Sequence, residues 1–312
     1  MNRCPITYEE IQDGLYSAAG LKKIDRRLTE LRPLPYTTDE LLEESAARSG
    51  KISIEGVQPK LSSILSVRDS AFVLADQKAL FIIKPQQSVY DQVPENEDLT
   101  MRLAEAAGIE VPLHGLLYDK EGKLHYFIKR FDRTKARKKL AVEDFAQLSG
   151  RNRNTKYDSS MENVASVIEQ YCTFPVLEKM KLFKLTLFNY LIGNEDMHLK
   201  NFSLITRNGI VTLSPAYDLL NTSIIIKNPQ EEIALQLNGK KRNLTKNDLI
   251  KYFGSERLGL NENSVHSVIA DLAQAVPAWI ELISTSFLSA EAKNGYMQIL
   301  QPRFSMLFGK KT

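Results

Sequence analysis

The sequence predicts an α+β protein of two lobes, the first rich in β-strand and the second predominantly helical. Three observations predict this. Residues 51–85 read as short runs rich in Ile, Val, Leu and Phe separated by turns. One amphipathic helical stretch separates them from two further strands, and from about residue 141 helical spacing takes over, interrupted only by a hairpin at 202–213. At 312 residues, 43% of them hydrophobic, the chain is long enough for one large or two modest cores and too apolar for wholesale disorder.

Taken in order, residues 6–49 read as short helices broken by the prolines of "RPLP" at 32–35. "KISIEGVQPKLSSILSVRDSAFVLADQKALFIIKP" reads as strand, glycine-containing turn, strand, polar turn, strand. "PENEDLTMRLAEAAG" places Leu99, Leu103 and Ala106 at helical spacing, with acids in its first turn where the helix dipole favours them. Strands follow around 113–118 and 124–130, joined by "DKEGK". "FPVLEKMKLFKLTLFNYLIGN" is the most apolar helix, but Glu178, Lys179, Lys181 and Lys184 mark it as a core helix rather than a membrane span. Phe183, Phe188 and Tyr190 are expected to be packing residues, and Trp279 a core or helix-interface residue.

Bulk properties exclude several classes. A net charge of +3 is too small to imply nucleic-acid binding by itself. Two cysteines without a CxxC exclude a disulfide framework and a cysteine-based zinc site, and suit a reducing compartment. The four histidines lack metal spacing. "MNRCPITYEE" turns acidic before any apolar run, unlike a signal peptide. The expectation is a cytoplasmic protein without membrane attachment.

The chemistry concentrates in "LIGNEDMHLKNFSLITRNGIVTLSPAYD" (191–218). Asp196 and Asn201 stand with four residues between them, directly after a buried helix. The hairpin that follows turns on "RNG", whose Asn-Gly supplies positive φ, and its second strand leads to Tyr217 and Asp218. In protein kinases an Asp accepts the substrate hydroxyl proton, an Asn beyond it binds one Mg²⁺, and a later Asp binds another. Oxygen ligands of this kind suit Mg²⁺ shared with a nucleotide's phosphates. Taken singly, each residue is as well explained as a cap, a turn or a surface acid; the ordered set is not. Upstream, Lys84 ends an apolar strand and Glu97 lies on the next helix, the pair by which a kinase holds α- and β-phosphates. Gly56 in "SIEGVQPKLS" could let backbone approach phosphates, although one glycine and Pro59 make a poor phosphate loop by glycines alone. "HYFIKRFDR" (125–133) leads from the β-rich to the helical half, where a kinase hinge would receive adenine on backbone amides.

"GVQPKLS", "FIIKP", "NE" followed by "AAGIEVP", "IKRFDR", "EDFAQLSG", "GNEDMHLKNFSL" and "PAYDLLNT" occur in one order. Together they resemble the HipA-type serine/threonine kinases, toxin components of bacterial type II toxin–antitoxin systems, from about residue 50 to about 225. The resemblance implies a two-lobed kinase fold using ATP and Mg²⁺, with Asp196 as catalytic base and Asn201 and Asp218 as metal ligands. It implies that Gly56, Val57, Gln58, Pro59 and Lys60 form the nucleotide loop and that Lys84, paired with Glu97, contacts ATP phosphates. Lys129, Arg130 and Phe131 then flank adenine, with Tyr217 also on the nucleotide side; the hinge acid frequent in HipA is Lys129 here. His198 and Lys200 match the catalytic-loop motif, Lys200 being placed to neutralise the transferred phosphoryl group.

The nucleotide loop begins near residue 50, so the chain resembles the short form, HipT, of HipBST systems. That form implies HipS-like and HipB-like antitoxin partners, with DNA contacted only through the HipB-like protein, and a protein substrate such as an aminoacyl-tRNA synthetase. Autophosphorylation is expected at Ser53, just ahead of the loop; some short-form relatives carry a second serine where Lys51 stands here. The expected segments are 1–50, helical or extended and packed on the kinase; 51–135, the β-rich nucleotide-binding lobe; and 136–312, the helical catalytic lobe. Two other readings stay open: a small-molecule or lipid kinase of the same superfamily, and a non-catalytic adaptor in a repressor complex. The basic runs "KRFDRTKARKK" and "RNRNTKY" are most simply solvated surface.

Overall fold

The structure, a computed structural model, describes residues 2–49, 58–226 and 229–309. Two compact units emerge, one of residues 1–99, 112–138 and 285–288, the other of residues 100–111, 139–284 and 289–312.

The first unit is built on a five-stranded antiparallel sheet of order β4-β3-β5-β7-β6. Its strands are β3 (Leu61–Ser66), β4 (Ala71–Leu74), β5 (Phe81–Lys84), β6 (His114–Tyr118) and β7 (Leu124–Lys129). β1 (Asn2–Arg3) and β2 (Glu10–Ile11) form a separate two-stranded ribbon, followed by α1 (Ala18–Ile24) and α2 (Thr38–Ser49). The strands expected around 113–118 and 124–130 are found; after Gly56 there are three strands, β3, β4 and β5, where two were expected, because a second turn at 75–80 separates β4 from β5. "KISIE", with Ser53, and the loop residues Gly56 and Val57 lie outside the described residues. The N-terminal segment supplies Cys4, Ile6, Leu21, Ile24, Leu28, Leu31, Leu34 and Leu41 to a core shared with Phe72, Phe81 and Phe127 of the sheet. Those three rings meet at centroid distances of 5.1 to 6.1 Å, so the sheet's apolar face is covered by residues that carry no catalytic motif.

Two buried polar residues make this unit acid-sensitive. His125 Nδ1 accepts the Gln86 N–H at 3.2 Å, so Nε2 carries the proton and donates to Asp119 Oδ2 at 3.1 Å. Burial holds the imidazole below its ordinary value of 6.5, overriding the pull of Asp119. Against burial, which pushes it up, the Lys123 N–H, His125 and the Glu121 N–H hold Asp119 below its ordinary 3.8. In both cases the native state binds fewer protons than the unfolded one, so stability falls as pH drops: first through 6.5 for His125, then through 3.8 for Asp119. The urea midpoint is therefore expected to fall between pH 7.5 and pH 5.5. His125→Gln should remove part of that fall; an unchanged pH slope in this variant would show that His125 does not contribute.

α3 (Val93–Ala106) begins in the first unit and ends in the second. The second unit contains α5 (Met161–Tyr171), α6 (Pro175–Ile192), α7 (Glu262–Thr285, to Ser284) and α8 (Ala290–Phe308). Leu182, Phe183, Leu187, Phe188 and Tyr190 of α6 are buried, as expected of a core helix. Trp279 is fully buried, donates from Nε1 to the Leu103 carbonyl at 2.8 Å and meets Phe188 edge-on. α7 is long and apolar enough to cross a membrane by length and composition. Its buried residues Val265, Val268, Leu272, Ala275, Trp279 and Ile283 nonetheless recur at three- and four-residue steps, the stripe of a core-facing amphipathic helix.

Two features depart from the expected helical half. A third strand, β8 (Ala141–Asp144), joins the hairpin of β9 (Ser203–Arg207) and β10 (Ile210–Leu213) in the order β10-β9-β8. Among the described residues, 214–246 hold a short 3₁₀ turn at Thr222–Ile224 and isolated bridges of Gln236 to Ser160 and of Leu237 to Lys240, before a π-helical segment, Asn247–Arg257. "AVED" shows no apolar alternation of its own; pairing with β9 makes it a strand.

Candidate functional site

One group of the expected site residues lies in each unit, and each is built differently. In the first, β5 ends on Lys84, which is 6% exposed, and α3 carries Glu97, 2% exposed. Their Nζ and Oε1 atoms are 2.6 Å apart, and the Lys84 ammonium lies 5.6 Å from the Tyr126 ring centre. A lysine this deep requires a partner, and the strand–helix spacing supplies one. Gln58 approaches the other Glu97 oxygen at 3.4 Å, while Lys60 is exposed and its backbone N–H is held by the Ser45 hydroxyl. Pro59 is half-buried.

The expected hinge is less open than the sequence suggests. The Lys129 N–H already donates to the Leu113 carbonyl at 2.7 Å, and the Arg130 N–H to the Leu80 carbonyl at 2.8 Å. Neither amide is free for a base, because the cross-strand pairing at the end of β7 runs on to the segments just outside β5 and β6. The Arg130 side chain is forked onto Asp132, which Arg133 also contacts. Against burial, which pushes it up, these arginines hold the Asp132 carboxyl below its ordinary value. Phe131 is half-buried beside them.

The second group begins where α6 stops. Gly193 adopts φ +76°, and a Cβ there would lie 2.8 Å from the Ser223 hydroxyl and 2.9 Å from Ile299. Only glycine fits both the handedness and the space. The Gly193 carbonyl accepts from the Thr222 and Ser223 hydroxyls, and the Glu195 N–H donates to Thr222, so "NTS" clamps the helix end. Asn194 then accepts the Asp196 N–H at 3.0 Å, an Asx turn that carries the chain outward. Asn201 donates from Nδ2 to the Asp196 carbonyl at 2.9 Å. Its amide nitrogen is thereby used, and its oxygen remains for a cation.

Asp218 is half-buried at φ +55°, the left-handed region that Asp and Asn enter more readily than other side chains. Tyr217 ties it back: its hydroxyl donates to the Lys200 carbonyl at 2.9 Å and shares a 2.5 Å hydrogen bond with Ser203. The residue before Asp218 is thus fastened to the residue before Asn201. Asn201 and Asp218 offer hard oxygen donors suited to Mg²⁺. Among the described residues no group of three or more His, Cys, Asp or Glu could hold a metal ion, so such a cation would need further oxygens from nucleotide and water. His198 is buried, and Lys200 bonds Asp144 at 2.8 Å. Asp144 also caps α4 (Phe145–Leu148) through a reciprocal capping box with Gln147, which explains the acid of "EDFAQLSG" structurally.

Sequence reasoning overlooked Asp144 as the partner of Lys200, and it overlooked Lys156 and Tyr157. The Tyr157 hydroxyl donates to Asp196 Oδ1, and Lys156 Nζ lies 2.6 Å from His198 Nε2. The only signal was an aromatic residue inside the basic run "RNRNTKY".

Comparison with known proteins places these features. The chain is 28% identical to a Haemophilus influenzae protein named "Putative kinase", over 98% of each. It is 25% identical to the serine/threonine-protein kinase toxin HipA of Shewanella oneidensis, over 73% of this chain but only 56% of that protein. Among solved structures, a chain of the Shewanella oneidensis complex of HipA, HipB and operator DNA matches with a TM-score of 0.67 at 22% identity, covering 90% of this chain and 73% of that one. The Helicobacter pylori proinflammatory kinase CtkA matches with a TM-score of 0.54 at 16% identity, covering 75% and 90%. These likenesses identify a kinase fold. The HipA-like C-terminal domain matches residues 52–280, and the chain belongs to that family.

Proposed function

We propose that the chain is a Mg-ATP-dependent serine/threonine protein kinase acting as the toxin of a bacterial toxin–antitoxin system. The observation that carries this reading is the tied catalytic loop: Asp196 and Asn201 share one turn, and Tyr217 fastens Asp218 to it. An adaptor has no need of this arrangement together with a buried Lys84–Glu97 pair. Asp196 takes the acceptor hydroxyl's proton, while Lys84, oriented by Glu97, holds nucleotide phosphates. Asn201 and Asp218 hold Mg²⁺, which when bound neutralises phosphate charge. His198 and Lys200 shape the loop, Lys200 through its bond to Asp144.

The HipA relative supports the toxin reading, and the structure of HipA with HipB and operator DNA supports a HipB-like partner; contact with DNA only through that partner is implied by the sequence resemblance. The remainder follows from the sequence resemblance: a HipT-like short form, a HipS-like partner, a cytoplasmic setting and an aminoacyl-tRNA synthetase as substrate. Autophosphorylation at Ser53 would add about −1.5 to −2 charges beside a loop meant for ATP phosphates, opposing nucleotide binding.

One experiment tests the reading. After induced expression, phosphoproteomics should show a Ser53 phosphopeptide and a small set of phosphorylated seryl or threonyl sites in other proteins, with growth arrested. All should be absent with Asp196→Asn. Equal growth arrest by both forms would favour the adaptor; phosphorylation confined to metabolites would favour the small-molecule kinase.

A further inference from the structure

Asp196 presents a problem that the loop alone does not solve. Its side chain is 50% exposed, and an exposed carboxylate at the tip of a turn has no reason to keep one orientation. A general base must keep one, because proton transfer requires hydrogen-bond contact with the acceptor hydroxyl. The backbone bonds to Asn194 and Asn201 position the residue's main chain and leave the carboxylate untouched.

The carboxylate is held from elsewhere. Residues 151–158 follow α4, and Tyr157 donates its hydroxyl to Asp196 Oδ1. His198 Nε2 lies 4.0 Å from the same oxygen, too far for a hydrogen bond. Among the described residues no donor is found for Oδ2. The two oxygens are therefore unequal, one braced by a phenol and the other open.

Tyr157 is 38% exposed, but it can act as a brace because its ring is held on two sides. Its ring packs edge-on against the buried His198 ring at 5.0 Å, and the Lys156 ammonium sits 4.9 Å from its centre. The Lys156 carbonyl accepts the Leu199 N–H at 3.2 Å. Residues 156 and 157 thus reach the catalytic loop at positions 196, 198 and 199. Lys156 Nζ, 2.6 Å from His198 Nε2, holds that ring in place against the Tyr157 ring. Burial, and then the hydrogen bond to Asp196, raises the Tyr157 pKa well above its ordinary value, so the phenol remains a donor at neutral pH.

We propose that Tyr157 is a positioning residue for Asp196, holding Oδ1 so that Oδ2 is the oxygen presented to the acceptor hydroxyl. This rests on the reading of Asp196 as the base. In transfer, Oδ2 takes the hydroxyl proton as the acceptor oxygen bonds to the γ-phosphorus and the bond to the ADP oxygen breaks. Tyr157 keeps its own proton throughout. On the same contact, a phenol occupying the acceptor's place would act as a lock, and the sign of one measurement separates the two roles.

The test uses Tyr157→Phe in the full chain, which keeps the ring against His198 and removes only the hydroxyl. Phosphate incorporation from Mg-ATP is followed into the protein itself and into dephosphorylated casein. Positioning predicts a fall in kcat of about tenfold or more, with the KM for ATP and the melting temperature unchanged. Added to Asp196→Asn, Tyr157→Phe should cost less than about twofold further, because the two groups act as a unit. A raised kcat would overturn the proposal in favour of a lock, and an unchanged kcat would overturn it outright. A fall accompanied by a matching loss of melting temperature, or by a higher KM, would reduce Tyr157 to a structural residue. The two readings fail separately. Full transfer by Asp196→Asn removes the base assignment, whereas an inactive Asp196→Asn beside a fully active Tyr157→Phe removes only the positioning role.

Discussion

Asp196→Asn is expected to lower phosphoryl transfer by about 10²–10⁴-fold while the protein stays folded, the range for loss of a general base. The fold should survive because the loop is held by main-chain groups: the Asp196 N–H on Asn194 and its carbonyl under Asn201. Neither bond uses the carboxylate. Asp218→Asn is the companion, with a loss at least as large if the residue holds the cation. Asparagine is the informative replacement at 218 because it tolerates φ +55°, so the charge is removed without adding backbone strain. Initial rates of phosphate transfer and melting curves on both purified variants provide the check. Near-normal transfer by Asp218→Asn would sink the metal assignment.

Breaking the Lys84–Glu97 pair should carry the largest cost in stability. Both side chains are nearly inaccessible and 2.6 Å apart, so Lys84→Met leaves a carboxylate buried without its ammonium. Losing one member of such a pair typically costs about 3–5 kcal/mol, although the intact pair itself contributes little net stability. The double variant Lys84→Met/Glu97→Met should therefore recover much of the lost stability, while nucleotide binding and transfer stay absent. Denaturant midpoints of the two single variants and the double complete the cycle. A double variant no more stable than either single would show that the pair is a structural keystone rather than a phosphate-holding device.

Legibility in the sequence followed the range of the forces involved. The Asn208-Gly209 turn could be read because its chemistry is local: both residues adopt positive φ, 53° and 78°, as the hairpin demands. Phe183, Phe188 and Trp279 could be read because burial imposes helical spacing on apolar residues. β8 could not, since "AVED" becomes a strand only through β9. The occupied amides of Lys129 and Arg130 were hidden for the same reason, their acceptors being Leu113 and Leu80 on neighbouring segments. Asp196, Asn201 and Asp218 stood out by order and spacing. Tyr157 did not, because its contact with Asp196 closes over 39 positions of chain and leaves no periodic trace.

The fastening of Tyr217 to Ser203 and Lys200 has a consequence for what lies between. The Ser214 N–H also donates to the Ser203 carbonyl at 2.8 Å, so the segment from 203 to 217 is sealed at its base. Its tip, residues 207–210, is exposed. Length added at the tip costs only loop entropy, about 0.6 kcal/mol per doubling, and transmits no displacement through a base closed by three hydrogen bonds. The chain distance between Asn201 and Asp218 is therefore no part of the chemistry. The tip is a natural port, where a fluorophore, an affinity tag or a whole inserted domain can be carried without being felt at Asp218.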